Sequence, residues 1–193
     1  MHKWMPIAIL AALFTPRVIA QENSRFELFG GYQFLHAGSF DGEGDSANTN
    51  GWDAAATANF TRHLGVTADF SGNYKNLNAT NGSLTANASV RIYTYTFGPT
   101  ASYPIGRVKV FAHALFGDAH VRPTGCVAFS GSPDECGPGS VSGFGMIVGG
   151  GLDLRAGKAS AFRVVQLDWM RLPSQFGAQN NNFRVSSGLV FHF

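Results

Sequence analysis

The side chains that could do chemistry are six histidines, two cysteines and a modest set of carboxylates. Imidazole is a metal ligand and a general base near neutral pH, so spacing decides what the histidines can do. His2, His36, His63, His113, His120 and His192 are scattered, with no His-x-Glu-x-x-His or similar cluster among them. No metal and no cofactor is expected. A serine-type hydrolase needs nucleophile, base and acid within hydrogen-bond reach. Asp118 and His120 offer an acid and a base, but no serine in a recognisable motif accompanies them, so no catalytic residue is assigned and the chain is read as not an enzyme. Asp41-Gly-Glu-Gly-Asp45 resembles part of a calcium loop without its later glutamate and reads as a solvated acidic loop. The N-glycosylation patterns at Asn59, Asn78, Asn81 and Asn87 read as polar strand and loop residues.

Such residues need elements to hold them. The chain starts Met1-His2-Lys3, runs apolar from Ile7 to Phe14 and leaves through Val18-Ile19-Ala20 before Gln21-Glu22-Asn23. A positive start, a short apolar centre and a small-residue exit make residues 1–20 a secretory leader, and 21–193 one domain. Without Lys3 and Arg17 the chain has 12 basic and 12 acidic residues, a balance that lacks the basic footprint of nucleic-acid binding. Aromatics reach 13% and charged residues only 13%, half the usual share of a soluble domain. In an exported chain, Cys126 and Cys136, close together in a stretch rich in Gly, Ser and Pro, read as a disulfide closing a small loop. Zinc would need two further ligands, and the loop has none.

Period-2 alternation runs through eight segments. In Phe26–Leu35 one face carries Phe26, Leu28, Tyr32 and Phe34, the other Glu27, Phe29 and Gln33. Trp52–Thr61 sets Trp52, Ala54, Ala56 and Phe60 against Asp53, Thr57 and Asn59. Val66–Tyr74 sets Val66, Ala68, Phe70 and Tyr74 against Thr67, Asp69, Ser71 and Asn73. Ser89–Tyr103 follows with Tyr93, Tyr95 and Phe97 on its apolar face; Pro99 in it removes a ladder donor and suggests a bulge. Val108–Val121 is placed with Lys109, Phe111, His113 and Leu115 on the polar side. Gly143–Arg155 puts Asp153 and Arg155 there too. Ala161–Leu172 is ambiguous in phase; Val165, Leu167 and Trp169 outward with Gln166 and Asp168 inward is preferred. In Phe183–Phe193 the residues Phe183, Val185, Leu189, Phe191 and Phe193 share a face opposite Arg184, Ser186 and His192.

Connections alternate short and long. Residues 62–65, 104–107 and 156–160 are short; 37–51, 75–88, 122–142 and 173–182 are long. That alternation belongs to an up-and-down barrel in an outer membrane, with short inner turns and long outer loops. Strands can cross hydrocarbon only as a closed ring, because every backbone donor and acceptor must be paired. The expected fold is therefore all-β, an eight-stranded antiparallel transmembrane barrel, its apolar face toward lipid and its polar face filling the lumen. Aromatic residues at both strand ends supply the interfacial girdles. Glu27, Lys109, Asp153 and Arg155 would face inward near the short turns, with Asp69, Asp168 and Arg184 higher up. Charges of both signs in so narrow an interior should pair.

The opening Phe26-Glu27-Leu28-Phe29-Gly30-Gly31-Tyr32, the segment Ala68-Asp69-Phe70-Ser71-Gly72 and Gly149-Gly150-Gly151-Leu152-Asp153 resemble the small outer-membrane β-barrel domains related to the N-terminal barrel of OmpA. The end of the chain, with Leu189, Phe191 and Phe193 on one face, looks like the signal such proteins present to the outer-membrane assembly machinery. The resemblance covers the mature chain and includes no peptidoglycan-binding domain. It implies a bacterial outer-membrane protein in contact with outer-membrane lipid. The narrow bore and its charges of both signs point to a largely plugged lumen, hence a structural or surface-interaction role, with a possible extracellular partner at the loops, the Cys126–Cys136 loop first among them. The alternatives are a narrow porin-like channel for small solutes and a lipid A-modifying enzyme.

Overall fold

A computed structural model describes residues 24–37, 47–81, 84–129, 135–138, 140–171 and 182–193. The expected leader and most of the first and last long connections lie outside these residues. The described chain is all β: β1 (Phe26–Ala37), β2 (Ala47–Asn59), β3 (Leu64–Asn81), β4 (Leu84–Ile105), β5 (Val108–Phe129), β6 (Glu135–Pro138), β7 (Val141–Arg155), β8 (Ser160–Arg171) and β9 (Asn182–His192). Every pairing is antiparallel between neighbours, β4 also pairs β5, and β1 pairs β9, so eight strands close into a ring. The seam is tight. Phe26 N–H donates to Phe193 O at 3.2 Å and Phe193 N–H returns to Phe26 O at 2.8 Å. β6 is a short ninth strand outside the ring, hairpinned onto the end of β5.

The alternation of the sequence becomes an inside and an outside. Phe26, Leu28, Tyr32, Phe70, Phe97, Leu152, Leu167, Leu189 and Phe191 stand exposed on the outer wall, while Gln33, Asp53, Asp69, Ser71, Asp153, Asp168 and Arg184 are buried within. A monomer in water rarely leaves so much contiguous apolar surface uncovered. Around a closed ring this is the polarity of a barrel that meets lipid.

Three expectations need correction. The bulge is not at Pro99: the β4–β5 ladder holds one register on both sides of it, with Phe97 opposite Phe116 and Thr100 opposite His113. Pro99 points outward and Val66 faces it on β3. The bulge is in β8 instead, where Val165 opposes Leu152 but Arg163 opposes Asp153, leaving Val164 as the extra residue. Ala161 and Arg163 therefore point inward below it, and Gln166, Asp168 and Met170 above it. Second, much of the long stretches 75–88 and 122–142 is strand, since β3 has 18 residues and β4 and β5 have 22 each. About 9–11 residues suffice to cross a bilayer, so these strands are longer than a crossing needs, with the excess on the long-connection side. Third, the β4–β5 turn is tighter than residues 104–107: β4 runs to Ile105, and Gly106, at φ 62°, takes the left-handed conformation that a two-residue hairpin requires.

Candidate functional site: the lumen and the outer rim

The lumen is filled in layers. At the short-turn end Lys109 contacts Glu27 and lies 3.3 Å from Asp153. Asn59 donates to Glu27 at 3.0 Å, and His192 lies 3.8 Å from the same carboxylate. Arg163 grips both oxygens of Asp153, at 2.8 and 3.2 Å, and donates to Gln166 Oε1 at 2.7 Å. Its guanidinium lies between the rings of Phe29 and Phe111, 4.2 Å from each centroid. Gln166 in turn donates to Asp168 at 2.7 Å.

Arg184 occupies the middle of the barrel and is fully buried. It donates to Asp168 at 2.7 Å and to both oxygens of Asp69 at 3.0 Å, and sits 3.8 Å from Asp53. His113 Nε2 meets the other Asp168 oxygen at 2.9 Å. A chain of ion pairs and hydrogen bonds thus climbs from Lys109 through Asp153, Arg163, Gln166, Asp168 and Arg184 to Asp69. Glu27, Lys109, Asp153, Asp69, Asp168 and Arg184 are all brought into it. Arg155 is not: it lies exposed at the end of β7, where the strand leaves the barrel. Arg163 and Gln166, two residues not proposed as lumen ion-pair partners, link the two halves of the network.

Above Arg184 the interior changes character. Leu35, Ile92, Leu115, Ala119, Val121, Ile147 and Met170 form one buried cluster in the long-connection half. The lumen is therefore not polar throughout, because a bore this narrow is packed by side chains as a protein core is.

The outer rim carries a second group of polar residues, on the outward face. Trp52, Gly72, Tyr93, His120 and Ser142 share one register line across β2, β3, β4, β5 and β7. His120 Nδ1 contacts Ser142 Oγ, the serine that no sequence motif marks because it comes from the next strand of the ring. This pair is not poised for nucleophilic catalysis. Arg122 Nε–H donates to His120 Nε2 at 2.8 Å, which leaves the ring proton on Nδ1, facing the serine. His120 then donates to Ser142 and cannot take its proton.

Leu189, Phe191 and Phe193 project outward on β9 and at its end. Cys126 and Cys136 oppose one another in the β5–β6 ladder, although their side chains lie outside the described set.

No protein-family model matches the sequence, and no curated protein does. Solved structures do match the fold. Ail, the attachment invasion locus protein of Yersinia pestis, in complex with the heparin analogue sucrose octasulfate, aligns with a TM-score of 0.61 at 13% identity, over 87% of this chain and 97% of its own. Neisserial surface protein A aligns with a TM-score of 0.56 at 15% identity, over 88% of this chain and 98% of its own. The chain has the eight-stranded, OmpA-like fold of the small outer-membrane β-barrels.

Proposed function

We propose that the chain is a bacterial outer-membrane protein whose barrel is a filled, non-conducting mount for a surface presented on the long-connection side. The observation that carries this is the Leu35, Ile92, Leu115, Ile147 and Met170 layer over a fully buried Arg184. An ion entering from the short-turn side would meet paired charges and then this packed cluster, with Thr49, Asn73 and Asn182 buried beside it. On the same reading residues 1–20 direct export, the β9 face of Leu189, Phe191 and Phe193 engages the assembly machinery, and a Cys126–Cys136 disulfide stiffens the β5–β6 hairpin. Directly opposed residues of an antiparallel pair lie within the Cα separation that a disulfide spans.

The role is surface interaction rather than catalysis, supported by the strands that are longer than a crossing needs and by the donor state of His120. The heparin analogue of Ail is a poor guide to the partner. Apart from Lys75 and Arg122 at their bases, the long stretches 37–51, 75–88, 122–142 and 173–182 contain no Lys or Arg, and the first carries Asp41, Glu43 and Asp45. A polyanion would be repelled there. A narrow channel is the second reading, favoured by the polar chain that reaches mid-barrel. Single-channel recording in planar bilayers separates the two: silence at ordinary voltages supports the filled mount, and steady openings from the folded monomer establish the channel.

A further inference from the structure

Arg91 on β4 and Arg122 on β5 are directly opposed in the ladder, both exposed. Neither has a carboxylate within ion-pair distance among the described residues. Like charges facing one another across a ladder destabilise it, so this rim favours an anion, and no described residue provides one. Its height on the wall says where that anion resides. Tyr93 lies two residues from Arg91 on the same face of β4, about 7 Å nearer the barrel middle at the usual rise. Tyr93 packs edge-on against Tyr74 with centroids 6.1 Å apart, and Trp52 donates to the Tyr74 hydroxyl at 3.2 Å. Gly72 makes room for that indole, since a Cβ there would stand 2.9 Å from its nitrogen. An aromatic belt of this kind marks headgroup level, which sets the two guanidiniums among lipid phosphates.

The wall below continues the match. Ala54, Ala56 and Ala68 floor an apolar groove of about 660 Å³ between Leu28 and the rings of Phe70 and Phe97. It starts one register step beneath Trp52 and Tyr93 and runs toward the short turns. A cationic pair above an aromatic collar and an apolar groove has the polarity of one amphiphile. We propose that Arg91 and Arg122 bind the phosphate of an outer-leaflet lipid whose acyl chain lies in the alanine-floored groove. The site rests on the membrane reading of the barrel and adds a lipid class to it: phosphorylated over zwitterionic.

The test uses protein folded in uncharged maltoside micelles, titrated with short-chain phosphatidic acid, phosphatidylcholine or inorganic phosphate and followed by native mass spectrometry. The wild type should bind phosphatidic acid at least tenfold more tightly than phosphatidylcholine. R91Q/R122Q should abolish that preference, whereas R25Q/R107Q, the same charge loss at the opposite rim, should keep it. A56F should weaken lipid binding with every charge intact. Heat-modifiable migration of each variant establishes that it is folded. The proposal is overturned if folded R91Q/R122Q retains the preference, or if the folded wild type shows none. It is also overturned if inorganic phosphate displaces the lipid at equal concentration, which would make the site a free-anion site with no use for the groove. A wild type that never becomes heat-modifiable refutes the membrane reading itself, a separate result from a folded barrel that fails to discriminate lipids.

Discussion

Arg184 and Asp69 grip each other across the lumen, Nη1 to Oδ1 and Nη2 to Oδ2 both at 3.0 Å, from strands β9 and β3 that share no ladder. Two parallel charge-assisted bonds between a planar guanidinium and a carboxylate are the strong form of this interaction. Replacing Arg184 by Met strands Asp69 and Asp168 in a buried setting without their counter-charge. R184M should lose about 3–5 kcal/mol, the usual cost of breaking one side of a buried pair, read as a fall in the urea midpoint of the micelle-folded protein.

The carboxylates around Arg184 are not equivalent. Asp53 lies 3.8 Å away and neither of its oxygens has a hydrogen-bond partner, whereas Asp69 takes two bonds. D69N should therefore cost about 2–4 kcal/mol, and D53N less than about 1 kcal/mol or nothing, because a buried carboxylate with one long ion pair and no hydrogen bond regains little of its desolvation cost. Equal losses for the two in the same urea titration would show that Arg184 is shared evenly.

Gly149 and Gly30 form a matched pair for testing the inside against the outside. A Cβ on Gly149 would run into Asp168 and the Leu167 carbonyl, while one on Gly30 meets nothing within 4 Å. G149A should cost about 1–3 kcal/mol through overpacking. G30A, on the lipid face, should be neutral or stabilise by about 0.5 kcal/mol through reduced chain entropy. Thermal loss of heat-modifiable migration reports both.

Much of this architecture is legible in the chain because period-2 alternation and the short–long rhythm of connections are properties of local sequence. The inward placements of Glu27, Asp69, Lys109, Asp153, Asp168 and Arg184 follow from it. What escapes is whatever depends on register or on a neighbour far along the chain. The ambiguous phase of Ala161–Leu172 has a physical cause: the bulge at Val164 gives that segment one phase below and the opposite one above. The adjacent apolar pair Val164-Val165 is its trace in the sequence, and reading it would have placed Arg163 in the lumen. Arg155 keeps the parity of Asp153 yet falls beyond the last layer, which alternation alone cannot register. Ser142 meets His120 only once the ring order is known.

Arg163 tests the lower layer. Lysine keeps its charge but cannot hold both oxygens of Asp153 or stack between two rings as a flat cation does. R163K should lose about 2 kcal/mol, and R163K/F111A should lose less than the sum of the two single changes. Full additivity in that double-mutant cycle would mean the ring contributes only packing.

The apolar layer makes a prediction about flow. Leu35 and Leu115 are both fully buried within it. L35S/L115S should loosen the packing of the outer half of the bore and produce small, cation-preferring openings in planar bilayers, since Asp53, Asp69 and Asp168 outnumber Arg184 at the same level. A silent double variant would place the barrier at Arg184 itself.

The central claim is a barrel that needs an apolar surround, and detergent dependence of folding tests it most directly. Circular dichroism and unheated gel migration of the refolded chain, with and without micelles, are the measurement. The account predicts a β spectrum and a heat-sensitive mobility shift that appear only with detergent, because no described residue covers the outer wall of Phe26, Leu28, Phe97, Leu152 and Phe191. A monomer that folds fully in plain buffer would contradict it and make the molecule a soluble β-barrel.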